Sequence, residues 1–265
     1  MRIALLVTLA LSLPLAAQTP DLTQPGSWSR VLVPLPPAST PGANDSLWLT
    51  DVRALISASA APPLVETPCG PVEDPCIRPI LNQSFHPLGD LIKATAGPQF
   101  VYIGKADADK LTMTTQVRNT RESLLTAGAF LPMARDAAFS PNGFALISVS
   151  TWGPFRATLR IYDASAINDR DVELALYDEI SDSREPFLRQ TVRLRLVDTQ
   201  EHVTPALLPR YPAMAQLDLD PLVPESIRAV RMTVRPVGAP QPAMQLWGFA
   251  SITNNSTSHV SVIAP

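Results

Sequence analysis

The sequence predicts an all-β protein: two tandem antiparallel β-sandwiches, over residues 28–139 and 148–265, behind a cleaved signal peptide at residues 1–17. Three observations predict it. The 265 residues include 28 prolines, about twice the usual share. Proline lacks a backbone donor and clashes inside helices, so long helices are excluded. Many segments alternate apolar and polar residues with period two, the pattern of a strand with one buried face. Two stretches of the chain also echo two others at long offset.

The composition narrows the class further. With 46% apolar residues and a net charge of −3, the chain has enough apolar side chains to build a core, which excludes disorder as its main state. A weakly acidic chain without a Lys/Arg block argues against nucleic acid. No run after the N-terminus approaches the roughly 20 apolar residues of a membrane helix.

Met1-Arg2 is a short positive start, and Ile3 to Leu13 is an apolar run ended by Pro14. Leu15-Ala16-Ala17 then precedes Gln18. This order is that of a secretory signal peptide, with cleavage expected after Ala17 and an extracellular or periplasmic destination. No cysteine follows the run, so no lipid anchor is expected. Removing Arg2 leaves 20 basic against 24 acidic residues, a mature charge of −4.

Trp28 precedes the first expected strand. Cys69 and Cys76 lie in Thr67-Pro68-Cys69-Gly70-Pro71-Val72-Glu73-Asp74-Pro75-Cys76, whose prolines and glycine predict a surface loop. In an oxidising compartment the pair is expected to close as a disulfide, restricting the unfolded chain by about 2.5 kcal/mol. Leu88 to Ala96 reads as a short helix, with Leu88, Leu91, Ile92 and Thr95 on one face.

Strands follow where the alternation is clean. Leu111, Met113, Thr115 and Val117 share one face, as do Phe155, Ala157, Leu159 and Ile161, opposite Arg156, Thr158, Arg160 and Tyr162. Val172, Leu174 and Leu176 form a third set, Val192, Leu194 and Leu196 a fourth, and Val230, Met232 and Val234 a fifth. Pro141-Asn142-Gly143, Asn168-Asp169, Asp182-Ser183 and Val237-Gly238-Ala239-Pro240 are turn signals between them. Val260 to Ile263 reads as a last strand. Many short strands at this spacing predict antiparallel sandwiches.

Trp48-Leu49-Thr50-Asp51-Val52-Arg53 parallels Phe155-Arg156-Ala157-Thr158-Leu159-Arg160, and Gln116-Val117-Arg118-Asn119 parallels Ser251-Ile252-Thr253-Asn254. Each of the second pair is followed by a short apolar segment, Ala129 to Pro132 and Val260 to Ile263. Two copies of a unit the size of one sandwich are expected, joined around Ser140 to Gly153.

Gly42-Ala43-Asn44-Asp45-Ser46-Leu47-Trp48-Leu49-Thr50-Asp51 resembles a "G-x-x-G-S-x-W-x-T-D" opening. Phe155 to Tyr162 resembles an "F-R-T-N-L-x-I-x-N" strand, and Leu246 to Asn254 a closing "Y-A-S-V-x-D-N" strand. The chain thereby resembles secreted, immunoglobulin-like two-sandwich proteins of soil bacteria, uncharacterised in activity. It departs from them at Asp45, at Ala157-Thr158 and at Thr253-Asn254-Asn255. The resemblance implies an immunoglobulin-like fold and export, and implies no catalytic residues.

Residues that could carry chemistry are few. His86, His202 and His259 stand in turns or between strands, outside any metal-ligand spacing, and there is no Gly-x-Ser-x-Gly nucleophile elbow. The acid pairs Asp107/Asp109 and Asp218/Asp220 lack the glycine and terminal glutamate of a calcium loop. Arg156, Arg160, Arg193, Arg195, Arg231 and Arg235 are expected to pair with acids across strands. Trp152, before Gly153-Pro154 at the expected joint, is the one tryptophan read as exposed, either sealing the joint or offering a flat ring to a sugar. Trp48 and Trp247 fall within strands and are expected in the core.

The expected function is a secreted, non-enzymatic structural or interaction protein that presents loops and sheet edges to a protein or glycan surface, without cofactor or metal. The alternatives are a carbohydrate-binding accessory module using Trp152 and a secreted hydrolase.

Overall fold

A computed structural model describes residues 24–35, 39–41, 47–56, 64–69, 74–79, 86–87, 97–120, 128–181, 184–196, 202–203, 208–239, 243–257 and 259–265. The signal peptide and the helix expected over 88–96 lie outside these residues. Among the described residues the chain is built of antiparallel strands, with helical structure confined to short 3-10 turns.

The first half supplies β1 (Trp28–Val33), β2 (Ser39–Pro41), β3 (Leu47–Ile56), β4 (Leu64–Cys69) and β5 (Asp74–Pro79). It continues with β6 (His86–Pro87), β7 (Gln99–Gly104), β8 (Leu111–Asn119), β9 (Ala129–Leu131) and β10 (Ala134–Arg135). One sheet has the order β10-β1-β7-β4-β5, and a second has β2-β3-β8-β9 with β6 against β3. Val31, Val33, Val101 and Ile103 of the first sheet meet Val52, Ala54 and Leu111 of the second in a buried cluster.

The second half supplies β11 (Phe144–Ser150), β12 (Phe155–Asp163), β13 (Arg170–Asp178), β14 (Leu188–Leu196) and β15 (His202–Val203). After these come β16 (Leu208–Pro209), β17 (Ala213–Asp218), β18 (Ala229–Pro236), β19 (Leu246–Asn254) and β20 (Val260–Ile263). Eight of these strands form the path β11-β18-β13-β14-β17-β12-β19-β20. The link between β14 and β17 is short, Arg195 against Met214 and Leu196 against Ala213. There the path folds over, and its two wings face each other across one core. That core holds the predicted inward sets, including Leu159 and Ile161, Val172 to Leu176, Val192 and Leu194, and Val230 to Val234. Alternation predicted these faces because a strand with one buried side must place every second residue inside.

The repeated segments occupy equivalent places. Trp48 stands opposite Asn119 in β3/β8, and Phe155 stands opposite Asn254 in β12/β19, so both echoes pair with each other in the same register. β9 then pairs with β8 as β20 pairs with β19.

Two expectations need correction. The Pro-rich stretch around Cys69 and Cys76 is a hairpin, not a loop throughout: β4 pairs with β5, with Cys69 opposite Asp74 and Cys76 opposite Thr67. The expected joint from Ser140 to Gly153 contains β11, an edge strand whose Leu146 and Val149 are buried in the second core. Its bulge between Leu146 and Val149 carries Ser148 at φ 58°, held by the Glu179 carboxylate, which accepts from the Ser148 N–H and, at 2.9 Å, from its hydroxyl. A bulge of this kind blunts an exposed sheet edge.

Candidate functional site

The halves meet along a seam built on the outward faces of β12 and β19. Those faces carry Arg156, Thr158, Arg160 and Tyr162 beside Thr253, Ser251, Phe249 and Trp247 in register. The aromatic end is covered by β1 and β7. Trp28, Leu32, Phe100 and Tyr102 pack there with Phe139, Tyr162, Trp247 and Phe249 in one buried cluster. Tyr162 stacks on Trp247 and Phe249 at centroid distances of 5.8 and 6.3 Å. The Tyr162 hydroxyl donates to the Pro34 carbonyl at 2.9 Å, and the Arg30 guanidinium donates to the Ala164 carbonyl at 2.8 Å. The Phe100 N–H donates to the Arg210 carbonyl at 2.8 Å. Burial pushes the Tyr162 phenol well above its ordinary value, so it remains a neutral donor.

The polar end of the same faces is not filled. It opens into a cleft of about 490 Å³, walled on one side by Trp48, Thr50, Val117 and Leu131 and on the other by β12, β17 and β19. That volume falls within the range of small-ligand sites. The second wall presents Arg156, Thr158, Arg160, Gln216, Asp218, Ser251 and Thr253.

Two cations set the character of the cleft. Arg160 is set back in it: Nη1 donates to Ser251 Oγ at 2.9 Å, and the guanidinium lies 5.6 Å from the centre of the Phe249 ring. Its Nε is buried with no hydrogen-bond partner among the described residues. Burial pushes Arg160 below its ordinary value, partly offset by Tyr162, but a guanidinium keeps its charge in a protein. The acids nearby each accept a backbone N–H. Asp218 accepts from the Asp220 N–H at 3.3 Å, and Asp220 accepts from the Ala157 N–H at 3.2 Å. Burial pushes the Asp220 carboxyl up and the neighbouring Asp218 adds to this, while the Ala157 N–H and Arg156 oppose it.

The sequence-derived candidates scatter. Trp152 is 50% exposed, as expected, with the Arg228 guanidinium 4.8 Å above its ring. It lies in the β11–β12 turn and does not belong to the seam cluster, which is closed by Trp28 and Trp247. Trp247 is buried as expected, whereas Trp48 is only partly covered because it lines the cleft. His259 is exposed between β19 and β20, and the side chains of His86, His202, Cys69 and Cys76 lie outside the described residues. Asp107 pairs with Lys110 at 2.5 Å in a 3-10 turn. Of the six arginines expected to pair with acids, Arg193 does so, with Asp171 at 3.2 Å. Arg231 lies 4.3 Å from the Tyr177 ring centre. No group of three or more metal-binding side chains forms among the described residues.

The cleft itself was missed at the sequence level. Its signal was present: Arg156, Thr158 and Arg160 form the outward face of one repeat, and Trp48 and Thr50 belong to the other. Compared with models of known families, with curated proteins and with solved structures, the chain matches none.

Proposed function

We propose that the protein is an exported, non-enzymatic interaction protein of two immunoglobulin-like β-sandwiches, and that the cleft between its halves is its binding site. The observation that carries this reading is the cleft: an aromatic wall at Trp48 faces hydroxyl, amide and guanidinium groups. A flat ring opposite a bank of hydrogen-bonding groups suits a sugar chain, since each ring has an apolar face and a polar rim. This favours the carbohydrate-binding form of the reading over a purely protein-facing one. Asp218 in the cleft and Asp220 beside it each accept a backbone N–H, an anchoring role that supports binding rather than hydrolysis. The common register of the repeated strands supports two related sandwiches, as does the resemblance to secreted two-sandwich proteins of soil bacteria.

The test is a panel of soluble glycans and cell-wall polymers titrated against the chain from Gln18, read by tryptophan fluorescence. A saturable change that is lost in Trp48→Phe and kept in Trp152→Ala is expected. Loss in Trp152→Ala alone would move the site to the β11–β12 turn, and silence across the panel would remove the cleft reading.

Export and the Cys69–Cys76 bridge belong to the same proposal. The intact mass of the exported protein is expected to begin at Gln18 and to be lighter by two hydrogens than the reduced form. A mass retaining residues 1–17 would sink the signal-peptide reading, and a mass with two free thiols would sink the bridge.

A further inference from the structure

We infer that the cleft is a site for an acidic sugar chain, with ring carboxylates held by Arg156 and Arg160 and a sugar face lying against Trp48. The inference rests on the cleft being the binding site and adds the charge of its ligand.

Several other strand arginines have acids at hand: Arg30 meets Asp136 at 2.6 Å, Arg189 meets Glu173 at 2.6 Å, and Arg193 meets Asp171 at 3.2 Å. The exposed Arg195 and Arg235, by contrast, form no ion pair among the described residues and are solvated by water. Arg156 and Arg160 share one face of β12, with Thr158 between them. Neither forms an ion pair among the described residues. For Arg160 this is costly. A guanidinium withdrawn from water and left with an unmatched donor loses solvation that one hydroxyl from Ser251 does not replace. An incoming carboxylate would supply the missing counter-charge at the part of the guanidinium that lines the cleft, where a planar fork is well matched to that group.

Asp218 decides between acidic ligands. It lies on the same wall, opposite Thr158 in register on β17. A dense anion such as phosphate would be repelled by it, whereas a sugar can give Asp218 a hydroxyl proton to accept while its own carboxylate turns to the arginines. Thr158, Ser251 and Gln216 add neutral donors and acceptors of the kind a ring hydroxyl needs.

The test uses the chain from Gln18 with polygalacturonate oligomers, the fully methyl-esterified oligomers, cellohexaose and inorganic phosphate, followed by calorimetry and tryptophan fluorescence. Polygalacturonate is expected to bind at least about tenfold tighter than its ester, a difference of about 1.4 kcal/mol. Its binding should weaken as salt is raised. Arg156→Ala, on the more open part of the wall, is expected to weaken binding by about tenfold while circular dichroism stays unchanged. Arg160→Met should weaken it further; if that variant fails to fold, Arg156→Ala and the ester carry the test. Equal binding of acid and ester, or an unchanged affinity in Arg156→Ala, overturns the inference. If cellohexaose binds and Trp48→Phe abolishes it while the acid gains nothing over its ester, the cleft reading stands and the acidic ligand falls. Binding of phosphate without any sugar would leave a bare anion site and overturn the inference as well. If nothing binds, both readings fall.

Discussion

Trp247→Ala is expected to destabilise the protein by about 3–5 kcal/mol, lowering the thermal midpoint by roughly 10 °C for a chain of this size. Trp247 is 4% exposed and touches aromatic rings on three sides: Phe139 at 6.3 Å, Tyr162 at 5.8 Å and Phe249 at 5.7 Å. Truncation removes the transfer free energy of the indole and leaves a cavity that these flat rings cannot easily close. Through Phe100 and Tyr102 the same cluster reaches β7 of the first half, so the loss falls on the union of the halves as well as on one strand. Tyr162→Phe is the milder companion. It keeps the ring and deletes the bond to the Pro34 carbonyl, for an expected cost of about 1–3 kcal/mol because a buried acceptor is left unmatched. Calorimetry of both variants checks this. A Trp247→Ala loss below about 1 kcal/mol would mean that the seam is not packed as a core.

Gly143→Ala is expected to cost about 3 kcal/mol or more, the sum of a backbone and a steric contribution. Gly143 has φ +86°, and a Cβ there would meet the Val234 carbonyl oxygen at 1.9 Å. The left-handed backbone alone costs about 1–2 kcal/mol for an L side chain. The remainder comes from the collision, because its partner is the backbone of β18 and cannot rotate away. Gly153→Ala separates the two contributions: Gly153 has φ +70°, and a methyl group there would find nothing within 4 Å, so only the backbone cost applies. Chemical denaturation of the pair should rank Gly143→Ala clearly below Gly153→Ala. Equal losses would show that the close approach to β18 carries no weight.

Much of the second half was legible in the sequence. Val172, Leu174 and Leu176, or Val230, Met232 and Val234, alternate so regularly that their inward faces could be assigned without neighbours, and they are buried in one core. The Pro141-Asn142-Gly143 turn was legible for the reason that makes Gly143 irreplaceable. The first half was harder. β7 reads Gln-Phe-Val-Tyr-Ile-Gly without alternation because it is buried on both faces: Val101 and Ile103 enter the first core, while Phe100 and Tyr102 enter the seam. A continuous apolar run signals two-sided burial, but it cannot say what covers the second side.

The candidate site shows the same limit. Arg156, Thr158 and Arg160 were correctly placed on the outward face of a strand, where the ordinary environment is water and the ordinary partner an acid across the sheet. Packing of the first half onto that face changed both. Trp48, expected in a core from its place in a strand, is only partly covered and lines the cleft.

By itself the sequence determined the all-β class, the inward residues of the alternating strands and turns such as Pro141-Asn142-Gly143. These follow from local periodicity and backbone chemistry, which need no knowledge of what lies across the molecule. Only the tertiary structure decided that β1 and β7 are buried twice, that an aromatic seam joins the halves, and that two arginines face a cleft instead of solvent. Whether a face is surface or interior depends on a second body meeting it, and that meeting is written in residues far away along the chain.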